Sequence, residues 1–268
     1  MEYHVSGMTV AVIVFVLILS FVIPVGLYLY LNRKHRLSGR PFFIGWLAFL
    51  LSAMVLERLF HMLVLSTPIG EVLQNNLFLY AIYGGVTAGL FEELARYVSF
   101  RRFLKDHLEE DGTALMYGAG HGGSEMFNLL AMTMVNNLVI LLTLNSQGAE
   151  ALTGGLSGEA LAQVNAVIEQ LCSASPALFL LSLAERIFAL ILQIALSVMV
   201  FYAVKNPEQD RRLFLLAVEL HAVVDFIAAI AAQTLPVWAT ELIIGLAAAF
   251  AAWFARRIWD SHQQTEAE

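Results

Sequence analysis

Long apolar segments are the feature that most restricts what this chain can fold into. A helix that crosses a membrane needs about 20 mostly apolar residues. Seven segments meet that length rule, at about Met8–Leu31, Phe42–Leu65, Leu77–Phe100, Gly112–Leu144, Ser175–Val204, Leu213–Thr234 and Val237–Trp253. We therefore predict an all-α, polytopic transmembrane helix bundle with about seven spans (seven to eight).

The composition supports a membrane protein and excludes several soluble classes. Of the 268 residues, 59% are apolar and only 14% are charged, whereas a soluble domain carries about 25% charged residues. This excludes a soluble enzyme and a disordered protein, and the chain lacks the basic face that a nucleic-acid binder needs. The single cysteine, Cys172, excludes a disulfide framework. The expected partners are the lipid bilayer and membrane proteins or peptides, and no nucleic acid.

The positions of the basic residues predict the orientation in the membrane. Only three of the 15 Lys and Arg residues lie inside spans. The others follow alternate spans, as Arg33, Lys34, Arg36, Arg40, Arg101, Arg102, Lys105, Lys205, Arg211, Arg212, Arg256 and Arg257. Because basic residues collect on the cytoplasmic side, the N-terminus is predicted outside and the C-terminus in the cytoplasm.

The chain is predicted to form a single integral membrane domain, residues 1–268, in a bacterial cytoplasmic membrane. Its one long connection, residues 145–171, is rich in Gly, Ser, Ala and Gln, which favours an exposed extracytoplasmic loop. Residues 254–268 are predicted to form a short cytoplasmic tail.

Charged and histidine side chains inside the spans are candidates for a functional site. A charge at the bilayer centre costs about 2.5–3.5 kcal/mol on insertion scales, so such residues usually face the bundle interior. The set comprises Glu57, Arg58, His61, Glu92, Glu93, Arg96, His121, Glu125, Glu185, Arg186, Glu219, His221 and Asp225. They could serve only to hold helices together, or they could form a site.

The spacing of these residues favours a common site. Three pairs lie four residues apart, on one helical face: Glu92 with Arg96, His121 with Glu125, and His221 with Asp225. Glu92, His121 and His221 each lie nine residues from the predicted cytoplasmic end of a span, which is about 13 Å. Independent structural pairs have no reason to share a depth, whereas a common site requires it.

This residue set suits the activation of water. A buried carboxylate can take a proton from water and return it to a leaving amine, while imidazoles orient the water or stabilise an oxyanion. Two His and one Glu could instead bind zinc. The chain lacks the HExxH helix of the usual zinc peptidases, so no cofactor or metal ligand is predicted and zinc is the less favoured alternative.

Two further features have competing interpretations. Gly118, Gly120, Gly122 and Gly123 surround His121, and they could allow close helix packing or leave space for water or a peptide. Opposite charges at similar depth predict the pairs Glu57–Arg186 and Arg58–Glu185, with Gln193 extending that network.

Ordered motifs resemble those of the YhfC-type membrane proteins. They are Phe91-Glu92-Glu93-Leu94-Ala95-Arg96-Tyr97, Gly120-His121-Gly122-Gly123-Ser124-Glu125, Glu185-Arg186 and His221-Ala222-Val223-Val224-Asp225. That group in turn resembles the CAAX prenyl proteases and bacteriocin-processing enzymes, the glutamate-type intramembrane proteases. The resemblance covers a core of about residues 77–226. The Gly-His-Gly-Gly motif and the short spacing from Glu93 to Arg96 depart from the prenyl proteases, so a prenylated substrate is not implied.

The resemblance implies an intramembrane endopeptidase that cleaves membrane-associated proteins or peptides. Glu92 would be the general base, with His121, His221 and Asp225 as the other catalytic residues. Supporting roles would fall to Glu93, Arg96, Glu125, Glu185 and Arg186. The residues alone leave two alternatives, a proton-coupled transporter, since intramembrane Glu and His also serve as relays, and a non-catalytic scaffold or immunity-type protein.

Overall fold

A computed structural model describes residues 5–35 and 37–265 of the chain. The described residues are helical and contain no β-strand. Seven helical spans among them are long and apolar enough to cross a membrane, which confirms the predicted bundle. Arg36, one of the residues behind the predicted orientation, lies outside the described residues, and the orientation itself stays a prediction.

Twelve α-helices form the described fold. Their bounds are α1 Gly7–His35, α2 Arg40–Leu51, α3 Arg58–Leu65, α4 Pro68–Gln74, α5 Leu77–Val98, α6 Gly112–Glu125, α7 Met132–Gln147, α8 Glu150–Thr153, α9 Gly158–Ser173, α10 Pro176–Lys205, α11 Arg212–Thr234 and α12 Val237–Thr265. Three π-helical segments, Ser52–Glu57, Ser99–Phe103 and Met126–Ala131, continue or join helices within the second, third and fourth spans. Such segments occur frequently at functional sites.

The last helix is longer than the predicted seventh span. It runs through Thr265 and therefore includes most of the segment predicted as a tail. An ion pair joins Arg256 Nε to Asp260 Oδ2 at 2.9 Å, one turn apart, and His262 Nε2 lies 2.8 Å from Asp210 Oδ2. These contacts stabilise helical turns beyond the apolar part, which hydropathy alone does not detect.

The long connection at residues 145–171 is also more ordered than an irregular loop. Helix α9 occupies Gly158–Ser173, and Ile168 and Leu171 on it are buried. Apolar residues at 161, 164, 168 and 171 follow the helical spacing of three and four. Positive φ angles at Gly148, Gly155 and Gly158 mark the turns. The Gly and Ser content therefore predicted these breaks correctly but not the helix after them.

The described residues divide into two compact units. One comprises the described part of Met1–Ile23 together with Met126–Ala184, and the other comprises Pro24–Glu125 together with the described part of Glu185–Glu268. In the first unit, the Asn145 side chain bonds the Val5 backbone at 3.0 and 3.1 Å. The second unit contains every site residue predicted from the sequence. The prediction of a single domain concerns the whole chain and stays a prediction.

Glycines bring the helices of the second unit into close contact. A Cβ at Gly120 would collide with the Phe42 carbonyl oxygen on α2, and one at Gly118 would lie 2.6 Å from the Ile194 Cα on α10. Gly122 meets Leu190, and Gly123 meets Pro24. All four glycines around His121 are therefore packed, which confirms the packing interpretation and leaves no open space at these positions.

Replacement of Gly120 by alanine is expected to destabilise the protein by about 1–3 kcal/mol, because the added methyl group overpacks the contact with α2. Gly84→Ala is the matched control, since nothing beyond the adjacent backbone of its own helix lies within 4 Å of its Cβ position. Thermal unfolding in detergent measures both. Equal unfolding temperatures for the two variants would contradict the assignment of Gly120 to a tight helix contact.

Cys172 provides a test of the predicted orientation. It is the only cysteine in the sequence and is half-buried near the end of α9. A membrane-impermeant maleimide is expected to label it in spheroplasts, with Cys172→Ser as the unlabelled control. Because burial raises the pKa of the Cys172 thiol, labelling should accelerate as the pH rises above neutral. Labelling only after permeabilisation would contradict the orientation.

Candidate active site

Helix α5 supplies three buried charged side chains, Glu92, Glu93 and Arg96. Adjacent residues on a helix point about 100° apart, so Glu92 and Glu93 reach different neighbours. Glu92 contacts residues from α6 and α10, whereas Glu93 contacts α11. Helix α5 therefore lies where polar side chains from three other helices meet.

Glu92 is held through a single carboxylate oxygen. His121 Nε2 lies 2.8 Å from Glu92 Oε2, and the Gln193 amide donates to the same oxygen at 3.0 Å. A carboxylate can only accept, so Nε2 of His121 carries the hydrogen if Glu92 is ionised. His121 is fully buried, and its Nδ1 has no hydrogen-bond partner among the described residues. His121 is therefore a hydrogen-bond partner of the Glu92 carboxylate.

Glu93 connects Arg96 to His221. Arg96 Nε lies 2.9 Å from Glu93 Oε2, and Arg96 Nη2 donates to Glu93 Oε1 at 3.1 Å. His221 Nδ1 lies 2.8 Å from Glu93 Oε1. The guanidinium therefore balances the charge of Glu93, and Glu93 orients the His221 ring.

Gln193 on α10 joins polar residues of α5 and α6. Its amide nitrogen donates to Glu92 and, at 3.1 Å, to Glu125 Oε2. Arg96 donates to its backbone carbonyl at 2.7 Å and also contacts its side-chain oxygen. The sequence interpretation placed Gln193 only at the edge of another network. The sequence shows only that Gln193 is an amide in an apolar segment, two helical turns after Arg186. That spacing does not reveal a central position in the site.

Arg186 pairs differently from the prediction. Its Nη1 donates to Glu125 Oε1 at 2.6 Å, and it also contacts Glu185. Glu57 instead lies 3.2 Å from His61, and Arg58 is exposed. The predicted pairs Glu57–Arg186 and Arg58–Glu185 are therefore wrong. The prediction rested on opposite charges at similar depth, and neither of these determines the direction in which a side chain points from its helix.

Asp225 lies near His221 without a hydrogen bond between them. The distance from His221 Nε2 to Asp225 Oδ2 is 3.7 Å, and the Asp225 side chain is 39% exposed. Glu92 and Arg96, which were predicted to share one face of a helix, both contact Gln193, and Arg96 pairs with Glu93. Spacing thus identified residues that come together, whereas the pairs predicted from charge and depth were wrong.

A small cavity lies at the centre of these residues. Its volume is about 90 Å³, and its polar lining consists of Glu92, Glu125, Glu185, Arg186, Gln193, His221 and Asp225. A water molecule needs roughly 10–15 Å³ of such volume and two or more polar partners. The cavity can therefore hold water beside Glu92 and His221. Glu219 is exposed and lies outside this lining.

Comparison with known proteins places the chain in a family. A profile described as YhfC intramembrane metalloprotease matches residues 19–244. The chain belongs to this family. It is 35% identical over 250 residues to an uncharacterized membrane protein, YhfC, of Bacillus subtilis (strain 168), across 90% of this chain and 94% of that relative. No solved structure matches the chain. Membership supports an integral membrane protease acting on peptides in the bilayer.

The metal ion that the YhfC family description implies does not fit the side chains as arranged. His121 and His221 are held by different carboxylates, Glu92 and Glu93. Arg96 already balances the charge of Glu93. Among the described residues, no three His, Cys, Asp or Glu side chains are grouped so that they could hold a metal ion. We therefore attribute the chemistry of the site to its own side chains.

Proposed function

We propose that this YhfC-family chain is an intramembrane endopeptidase in which Glu92 activates water to hydrolyse a peptide bond. The observation that carries the proposal is that only one oxygen of the Glu92 carboxylate is held by hydrogen bonds. Both of its hydrogen bonds end on Oε2, and the residue lines a water-sized cavity. Oε1 is then the oxygen that can accept a proton from a cavity water.

The reaction proceeds in two steps. Glu92 takes a proton from water as the water oxygen bonds to the scissile carbonyl carbon, which produces a tetrahedral oxyanion. The protonated Glu92 then delivers that proton to the amide nitrogen as the carbon–nitrogen bond breaks. His121 and Gln193 hold the carboxylate in position, so that its Oε1 keeps one orientation toward the water.

His221 stabilises the oxyanion. Glu93 occupies its Nδ1, which leaves Nε2 for the substrate side of the cavity. When the ring is an imidazolium, Nε2–H donates to the oxyanion, and Glu93 at 2.8 Å and Asp225 at 3.7 Å balance its charge. Glu93 thus orients the His221 ring, and Asp225, predicted as a catalytic residue, acts electrostatically.

The remaining polar residues support this arrangement. Arg186 and Glu125 line the cavity and form an ion pair, and Glu185 adds a second carboxylate beside Arg186. We propose the same glutamate-type mechanism as in the CAAX prenyl protease superfamily. The N-terminus is proposed to lie outside the cell. The proposed substrates are membrane proteins or peptides.

A comparison of membrane-protein fragments tests the proposal and identifies substrates. Cells carrying the wild type and cells carrying Glu92→Ala are analysed by mass spectrometry for peptides whose new ends lie in or near transmembrane segments. Fragments that appear only with the wild type are expected. Identical fragment sets at equal protein abundance would overturn the proposal.

Metal dependence is tested separately on the purified protein with a substrate from that comparison. We expect cleavage to survive a strong chelator and the metal content to lie well below one zinc per chain. Stoichiometric zinc, with activity lost on chelation and restored by zinc, would replace the glutamate mechanism by a metal-dependent one.

A further inference from the structure

A groove with an apolar floor lies between α10 and α12, apart from the candidate active site. We call it the α10–α12 groove, and its floor consists of Ile191, Ile194, Ala195, Val198, Ala252 and Ala255. Its volume is about 360 Å³, within the range of about 300–1,000 Å³ that is usual for small-molecule sites. No residue that the structure describes lines both this groove and the active-site cavity. The groove therefore requires an explanation of its own.

The sequence explains why the α10–α12 groove forms. The four floor residues of α10, at positions 191, 194, 195 and 198, follow the helical spacing of three and four and share one face. The two floor residues of α12, Ala252 and Ala255, are three apart and have the shortest side chains after glycine. Because these alanines do not fill the space beside α10, an open groove remains where larger residues would close it.

Two basic side chains, Lys34 and Arg256, also line the groove. Both are exposed, and each lies three residues beyond the predicted cytoplasmic end of a span. Arg256 uses its Nε on Asp260, at 2.9 Å, and Lys34 Nζ lies 5.5 Å from the centre of the Tyr30 ring. Within the described part of the chain, no carboxylate pairs with Lys34 and nothing bonds the Arg256 Nη groups. This end of the groove therefore keeps positively charged donors that Asp260 offsets only in part.

Trp259 lines the groove beside these two cations. Its ring contacts the buried Tyr202 ring at a centroid distance of 6.3 Å. Tryptophan is enriched where a protein crosses the boundary between membrane and water, because an indole is apolar and carries one N–H donor. An apolar floor within the span, a tryptophan at its boundary and cations beyond it match the acyl chain, glycerol backbone and phosphate of a lipid.

We propose that the α10–α12 groove binds one anionic phospholipid of the cytoplasmic leaflet, with an acyl chain along α10 and the phosphate on Lys34 and Arg256. Charge complementarity selects this occupant, since a zwitterionic lipid carries an ammonium group that the two cations repel. Basic pockets between transmembrane helices on the cytoplasmic side bind such headgroups. The floor from Ile191 to Val198 is about 10 Å long, which covers much of the roughly 15 Å hydrocarbon depth of one leaflet.

Native mass spectrometry of the full chain in detergent tests the selectivity. The probes are dioleoyl phosphatidylglycerol and dioleoyl phosphatidylethanolamine, which differ only in the headgroup. One phosphatidylglycerol per chain is expected to bind, about tenfold or more tightly than phosphatidylethanolamine. Equal affinities for the two lipids would overturn the proposal.

Charge variants then locate the headgroup. Lys34→Gln/Arg256→Gln should weaken phosphatidylglycerol binding about 25-fold, since a basic residue near an anionic headgroup contributes about fivefold. Arg33→Gln/Arg257→Gln is the matched control, because it removes the same charge at adjacent exposed positions outside the lining, and its affinity should stay at the wild-type level. Equal losses in the two double variants would show a general effect of charge and would overturn the site.

A second pair of variants tests the apolar floor. Ala252→Leu fills the groove and is expected to weaken phosphatidylglycerol binding, whereas Ala249→Leu makes the same change at an exposed position of α12 outside the lining. Unchanged binding in a folded Ala252→Leu protein would overturn the proposal and leave the groove to another occupant, such as a substrate segment. Displacement of the lipid by equimolar inorganic phosphate would also overturn it, because a headgroup site alone would then suffice.

The test remains decisive if Ala252→Leu does not fold, because the two lipids and the charge variants are compared in proteins with an unaltered floor. None of these measurements uses cleavage. The lipid site and the proposed peptidase therefore fail or succeed independently.

Discussion

Glu92→Gln is expected to lower the cleavage rate by about 100-fold or more, because it removes the proposed general base. Glutamine keeps the size of the side chain and an oxygen that can accept from His121 Nε2 and from Gln193, which lie 2.8 and 3.0 Å away in the wild type. The fold should therefore persist. The measurement is the initial rate of substrate cleavage in detergent or liposomes, with thermal unfolding recorded on the same preparations.

Glu219→Gln is the matched control for Glu92→Gln. It makes the same chemical change at an exposed carboxylate on α11, and the cleavage rate should stay at the wild-type level. Unchanged cleavage in Glu92→Gln would contradict the mechanism. Proton flux into liposomes that disappeared with Glu92→Gln would instead favour the transporter, and loss of stability without loss of activity on substitution of His121 would favour a scaffold.

The spans were predictable because membrane insertion depends on length and apolar content, which are properties of local sequence. Each of the seven segments predicted by length corresponds to a helical span. The helix after Gly158 was harder to predict from the sequence, since α9 is amphipathic and too polar to resemble a transmembrane span. Hydropathy identifies helices that face lipid on most sides, and it misses helices with only one apolar face.

The membership of the polar site was also predictable, because buried ionisable groups in a membrane must gather around one another. Their pairing was not. Glu92 and Glu93 both point inward, since α5 has polar partners on two sides, and a helical wheel does not reveal which glutamate meets Arg96. The structure pairs Arg96 with Glu93 and leaves Glu92 to His121. Helical periodicity defines a face, whereas pairing depends on rotation relative to the neighbouring helices.

Gln193 shows a further limit. An uncharged amide carries no distinctive pattern in an apolar helix, although Gln193 contacts Glu92, Glu125 and Arg96. The contact of Glu57 with His61, by contrast, follows the regular helical spacing of four residues. The predicted pair Glu57–Arg186 was wrong because charge and depth do not determine the direction in which a side chain points.

Arg96→Met is expected to cause a stability loss of about 3–5 kcal/mol, because it leaves the buried Glu93 carboxylate without its main countercharge. Arg96 and Glu93 are both fully buried. The guanidinium lies 2.9 Å from Glu93 and also binds the Gln193 carbonyl at 2.7 Å and the Ser197 hydroxyl. Reversible unfolding in mixed micelles measures the free energy, and wild-type stability in the variant would contradict the role given to Arg96.

The double variant Arg96→Met/Glu93→Gln distinguishes a lost charge pair from a lost packing contact. If the cost of Arg96→Met comes from the unpaired carboxylate, neutralising Glu93 should recover a large part of it, since removing both charges of a buried pair costs less than removing one. If methionine simply packs badly, the double variant should be no more stable than the single one. In the first case the cleavage rate should stay low in both variants, because Glu93 no longer orients His221 as a carboxylate and Arg96 no longer holds Gln193 beside Glu92.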